Sequence, residues 1–207
     1  MRSLASSSSD IIAAYRGFSD RYGRVPGDWN RVDASNAIGV TLTGGGNDNG
    51  RLDNPPGAGA YDESNAMWEQ LAAAGFIQGD YPGTPGQEPD TENGLAPLNV
   101  YNGVIAVGRT DDFEGSNPAQ SHVVFGRRVP VATMRELDTK LDDTRPETGT
   151  VRATRENPTT FAGTNKWGGR DKDCVVLAAG LKKSRKHEGN KWDIVKDAQD
   201  CNAVFLF

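Results

Sequence analysis

Apolar side chains recur along this chain at spacings that mark its elements. Ile11, Tyr15, Phe18 and Tyr22 lie 4, 3 and 4 residues apart, which places them on one face of an α-helix. Ser9 or Asp10 is placed to cap that helix, and Val25-Pro26-Gly27 ends it, because proline disfavours helical geometry at the residue before it. A second helix is predicted from Asp62 to Ala74, with Met67, Leu71 and Ala74 on one side and Glu63 near its positive end. Gly75 then stands where a left-handed terminating residue belongs. Pro130 opens a third helix carrying Met134, Leu137 and Leu141. Short β-branched runs at 100–107, 122–125, 174–177 and 203–207 predict strands. The loops at 43–60 and 79–97 are rich in turn residues, and the second is expected to be exposed. A helix followed by loops and short strands, without regular βα alternation, reads as α+β with a mostly antiparallel sheet.

Composition narrows this picture. The 207 residues suit one domain, read as residues 10–207, and the preceding MRSLASSSS has no packing pattern and reads as a cloning scar or linker. A helix that starts abruptly at such a scar yet carries an aromatic stripe reads as the tail of a longer one. Gly and Pro together supply 36 residues and mean hydropathy is −0.61, so a small core with much ordered loop is expected. Four Trp, seven Phe and five Tyr argue against disorder. No apolar run approaches the roughly 18 residues that span a bilayer. A net charge of −5 argues against a dedicated duplex-DNA binder. Cys174 and Cys201, 27 positions apart, fit neither a four-ligand zinc site nor CxxC chemistry, which leaves a disulfide or two free thiols.

Three stretches together resemble type IV pilin-like proteins and pseudopilins, the prepilin-type family. Tyr15-Arg16-Gly17-Phe18-Ser19-Asp20-Arg21-Tyr22-Gly23-Arg24-Val25-Pro26-Gly27-Asp28 is similar to the end of the family's long N-terminal helix and the turn after it. Gly46-Asn47-Asp48-Asn49-Gly50-Arg51, then Glu63-Ser64 and Trp68-Glu69-Gln70-Leu71-Ala72-Ala73-Ala74-Gly75-Phe76-Ile77, resembles a second block. Leu137-Asp138-Thr139-Lys140-Leu141-Asp142-Asp143 with Pro146, Thr148-Gly149 and Val151-Arg152-Ala153 is similar to a third, although Thr144 stands where that block has glycine. The blocks occur in the family's order over about half the chain. The resemblance implies a helix packed on a small antiparallel sheet, long loops, and a C-terminal loop closed by a Cys174–Cys201 disulfide. It also implies a non-enzymatic subunit of a type IV pilus or type II secretion pseudopilus. Such a subunit is anchored in the bacterial inner membrane by a hydrophobic helix, processed and methylated at its N-terminus, and partnered by other pilin-type subunits and the assembly machinery. On that resemblance, the sequence is expected to be the soluble domain of such a subunit, lacking the membrane-spanning half of the helix.

Each candidate for chemistry has a plainer alternative. Asn47, Asp48, Asn49 and Asp53 offer oxygens at a spacing that suits calcium, yet turn-forming Asx residues explain the same pattern, and the full EF-hand set is lacking. No other cofactor is required. Lys182, Lys183, Arg185 and Lys186 form the densest basic run, a contact for an acidic partner or DNA in an adhesin or DNA-uptake module, or else a solvated loop. Trp192 is expected to anchor that loop to the core. His122 and His187 are too few for a histidine-rich metal site, and Ser121 beside His122 would point to the opposite face of a strand. No G-x-S-x-G, P-loop or Rossmann fingerprint occurs, so no catalytic residue is assigned. Asp138, Asp142 and Asp143 are expected to cap, to pair with Lys140 or to face solvent.

Overall fold

A computed structural model describes residues 4–53, 59, 61–110, 113, 115, 120–124, 128–154, 174–176 and 191–207, with the backbone alone at 110, 120–124 and 203. The architecture is α+β. Helix α1 runs Leu4–Tyr22, α2 Arg31–Ile38, α3 Asp62–Ala73 and α4 Val131–Leu141. Strands β1 (Ala106–Thr110), β2 (Gln120–Val124), β6 (Ala203–Leu206) and β3 (Val151–Ala153) form one antiparallel sheet in the order β1-β2-β6-β3. Strands β4 (Val175–Val176) and β5 (Lys191–Trp192) pair as a separate antiparallel ribbon.

Helix α1 begins earlier than a cap at Ser9 or Asp10 would allow. Leu4 and Ser8 are each only 2% exposed, so the stripe continues from Leu4 through Ser8, Ile11 and Ala14 to Phe18. Ser8 is tolerated there because its hydroxyl donates back to the Ala5 carbonyl at 2.9 Å. The expectation that residues 4–9 carry no packing pattern is therefore corrected. On the expected face, Ile11 and Phe18 are buried while Tyr15 and Tyr22 are half-buried against the core. Phe18 meets Tyr22, Trp29 and Phe76 at ring-centroid distances of 4.7, 6.2 and 5.8 Å. Tyr15 meets Phe207, just beyond β6, edge-on at 5.3 Å, and α1 also packs on α3. Among the described residues no helix is long and apolar enough to cross a membrane.

Helix α2 escaped the periodicity, because of its residues only Ala34 is buried. Local chemistry makes it: Asn30 accepts from the Asp33 N–H at 3.0 Å, and Gly39, at φ +88°, donates to Ser35 at the other end. Helix α3 ends as expected. Gly75 has φ +79°, its N–H reaches the Ala72 carbonyl and the Phe76 N–H reaches Leu71, which is the Schellman arrangement.

The interior of α3 departs from the amphipathic reading, since every residue from Glu63 to Leu71 is buried. Met67, Trp68 and Leu71 supply the apolar core, while the polar residues each hold a loop. Gln70 accepts from the Gly27 N–H at 2.8 Å and donates to the Trp29 carbonyl at 3.0 Å. Glu69 accepts from the Thr43 and Gly44 N–H groups, both at 2.7 Å. Asn65 donates to the carbonyls of Thr84 and Gln87, each at 2.8 Å. Loop backbone that would otherwise be buried without partners is satisfied by one helix. The 79–97 loop is accordingly not the exposed segment expected, for Gly83, Pro89, Leu95 and Ala96 are buried.

Candidate functional site

The residues singled out in the sequence assemble into two polar clusters and a disulfide. The first cluster lies where the turn after α1, the 44–53 loop and the start of α3 converge. Gly27 makes this approach possible: at φ +89°, a Cβ there would lie 2.3 Å from the Glu63 carbonyl oxygen. Gly46 serves similarly, since its Cβ would fall 2.5 Å from the Asp28 Cα.

Asp28, only 3% exposed, accepts from the Asn49 N–H at 3.0 Å and the Gly50 N–H at 2.8 Å. Glu63, 6% exposed, accepts from Asn47 Nδ2 at 3.1 Å and the Asp53 N–H at 2.6 Å. Asp48, at φ +61°, accepts from the side chain of Asn30, the α2 cap. Asn49 turns its Nδ2 to Asp53 at 2.6 Å, and Arg51 Nε lies 3.2 Å from the same carboxylate. Burial raises the Glu63 pKa to about 7, and the negative charges of Asp28 and Asp53 push the same way against its two hydrogen bonds.

Calcium takes six to eight oxygen ligands. Around Asn47, Asp48, Asn49 and Asp53 the carboxylates face N–H donors, including the Asn49 amide. This alternation is what turn-forming Asx residues make, and it lends calcium no separate support. The cluster acts chemically as a staple, with two buried carboxylates gathering the N–H groups of an irregular loop.

The second cluster follows α4. Asp138 is fully buried and accepts from Trp192 Nε1 at 2.7 Å and from the Thr144 N–H at 3.0 Å. Asp142 accepts from the N–H groups of Thr150 and Val151, at 2.8 Å for the latter, and so fastens the start of β3. Asp143 accepts from the Arg145 N–H at 3.0 Å and from the Thr148 hydroxyl. One oxygen from each of the three carboxylates lies within 4.8 Å of the others. Burial raises the Asp138 pKa to about 6, with the nearby charges of Asp142 and Asp143 adding to the rise. Pairing of this cluster with Lys140 does not occur, because Lys140 reaches back to Glu136 one helical turn away.

Cys174 and Cys201 are bonded, with Cα atoms 5.9 Å apart, which resolves the choice between disulfide and free thiols. Trp192, 4% exposed, anchors the loop they close, as expected. Lys182, Lys183, Arg185 and Lys186 lie outside the described residues, as do His187 and the side chain of His122. The residues missed in the sequence are Asp28 of the first motif block and Glu63, Glu69 and Gln70 of the second, where nothing in the spacing distinguishes a buried clamp from a solvated face.

Comparison with known protein families, with characterised proteins and with solved structures finds no match to this chain.

Proposed function

We propose that this chain is the head of a type IV pilin-like subunit, a minor pilin or type II secretion pseudopilin, which works by assembly rather than catalysis. The observation that supports this best is where the motif residues sit. Asp28 from the first block grips Asn49 and Gly50 of the second, and Glu63 of the second grips Asn47 and Asp53. Asp138 and Asp142 of the third grip the disulfide-closed segment and β3. The shared residues are thus fasteners of a rigid head, as a structural subunit needs. A reactive group would instead be expected to face an open cavity.

On this reading α1 continues upstream into an apolar helix of about 20 residues that holds the subunit in the inner membrane before assembly. The head is then periplasmic and later exposed on the filament. Packing of such helices drives polymerisation, and the loop-rich heads form the outer surface. Affinity capture of the natural-length protein from its own cell envelope tests this. Other pilin-type subunits should co-purify with it; recovery alone, with none in sheared surface filaments, would overturn the proposal.

A further inference from the structure

One groove of the head is left unused by its fasteners. It is open and holds about 650 Å³ between the first half of α1, the turn after α3 and the 97–105 segment. That volume falls within the roughly 300–1,000 Å³ of small-molecule sites. Its walls are fixed by backbone bonds. On one side the Phe76 N–H is held by the Leu71 carbonyl at 2.9 Å, and on the other the Ile105 N–H is held by Pro97 at 2.8 Å. Asn99 braces the same wall, with its Oδ1 taking the N–H groups of Tyr101 and Gly103 at 2.8 and 3.0 Å.

The side chains around it mix aromatic and polar groups. Trp68, Phe76 and Tyr81 supply the rings, and Ser7, Asp10 and Gln78 stand among them. Trp68 is fully buried, and the Tyr81 ring lies 6.1 Å from it. The Trp68 Nε1 donor has no hydrogen-bond acceptor in the fold. Tyr81 and Phe76 are half-buried, so each still presents part of its surface. Among the described residues no Lys, Arg or His lines the groove.

This chemistry selects the occupant by elimination. A phosphate, sulfate or carboxylate ligand meets no cation here and is repelled by Asp10. A peptide strand gains no edge to pair with, because the 97–105 backbone is paired within its own turn. There the Asn99 N–H reaches Gly103 at 2.7 Å and the Asn102 N–H reaches Asn99 at 2.9 Å. A hydrocarbon chain would strand the polar groups and leave the Trp68 N–H unsatisfied, whereas an occupant rich in oxygen would not. A neutral sugar fits both halves of the lining. Its rings carry apolar C–H faces that stack on aromatic side chains, and its rim of hydroxyls both donates and accepts. The Ser7 hydroxyl and Gln78 amide also do both, and a carboxylate such as Asp10 accepts about four hydrogen bonds.

We propose that the groove between α1 and the turn after α3 binds a neutral oligosaccharide, stacked on Tyr81 and hydrogen-bonded by Ser7, Asp10 and Gln78. The site is complete in a single copy, so the inference goes beyond the filament reading and does not depend on it.

Beads coated with the 207-residue protein, read against an array of neutral, sialylated and sulfated glycans, test the proposal, with avidity raising weak single-site binding to a readable level. Neutral glycans should be captured and acidic ones should not. Calorimetric titration of the best neutral glycan then maps the site. Tyr81→Ala should weaken binding about tenfold, and Val100→Arg, an exposed lining position, should do so by at least as much. Val195→Asp, outside the groove, should bind as the wild type does. Circular dichroism checks that each variant folds, and Val100→Arg carries the test if Tyr81→Ala does not. Capture of no glycan, equal capture of acidic glycans, or full affinity in Val100→Arg would each overturn the site. Saturable binding of tetramethylammonium in place of any glycan would assign the rings to a cation and overturn it as well. Glycan capture by a protein that never enters filaments would leave this site standing, and filaments that capture no glycan would remove it alone.

Discussion

Replacing Cys174 and Cys201 together with serine is expected to destabilise the head by about 3.5 kcal/mol, from the entropy of closing a loop of about 28 residues in the unfolded chain. The bond matters here because of what lies on either side of it. Cys174 leads into β4, and Cys201 donates its N–H to the Val129 carbonyl at 2.9 Å just before β6. Strand β6 is interior to the four-stranded sheet, paired to β2 on one side and β3 on the other. Releasing the loop therefore loosens the anchor of a central strand. Trp192 loses part of the constraint that presents its indole N–H to Asp138. Urea and thermal unfolding of the wild type, oxidised and reduced, beside the double serine variant measure this. The reduced wild type and the variant should coincide, with Tm lower by roughly 10 °C. An unchanged midpoint would mean that the loop is held by packing alone.

Stability is expected to rise, not fall, as the pH is lowered from 8 to about 5. Glu63, with its pKa raised to about 7 from 4.5, and Asp138, raised to about 6 from 3.8, both hold protons more tightly folded than unfolded. Between those paired values the folded state carries the extra proton, so raising the pH through the window costs stability. For Glu63 the window runs from 4.5 to about 7, and for Asp138 from 3.8 to about 6. The physical cause is the same at both sites: a buried carboxylate with other carboxylates beside it. Its hydrogen-bond donors offset the burial only in part. At about 1.4 kcal/mol per pKa unit the two windows together allow about 4 kcal/mol between pH 8 and 5, and solvent screening of these partly accessible groups reduces the expected gain to the order of 2 kcal/mol. Thermal unfolding in matched ionic strength at several pH values reads it. Glu63→Gln with Asp138→Asn should flatten the profile; a wild-type curve that declines steadily from pH 8 to 5 would contradict the assignment.

Some of this molecule was legible as sequence, and the limits have physical causes. The face of α1, the start of α4 at Pro130 and the termination of α3 at Gly75 were readable, because apolar spacing and backbone conformation are local properties. The upstream reach of α1 was not, since four serines break the apolar pattern while still filling a helical face. Helix α2 lacked a buried stripe and is held by its caps. The three-residue β3 and two-residue β5 are too short for alternation to show. Helix α3 was the most misleading element. Its glutamates and glutamine looked like a solvated side, yet they serve the buried backbone of loops that arrive from 40 or so residues away in sequence, as Gln70 does for Gly27. The acidic and amide loop was found but could not be resolved. Calcium ligation and turn formation call for the same residue types, and only the N–H donors facing Asp28 and Glu63 show what the carboxylates do in the fold.

One measurement goes to the heart of the account: mass spectrometry of the N-terminal peptide of the mature protein isolated from its native envelope. A methylated first residue opening an apolar stretch of about 20 residues that runs into α1 is the predicted result. A mature protein whose α1 is preceded by no such stretch would contradict it, however stable the head proves to be.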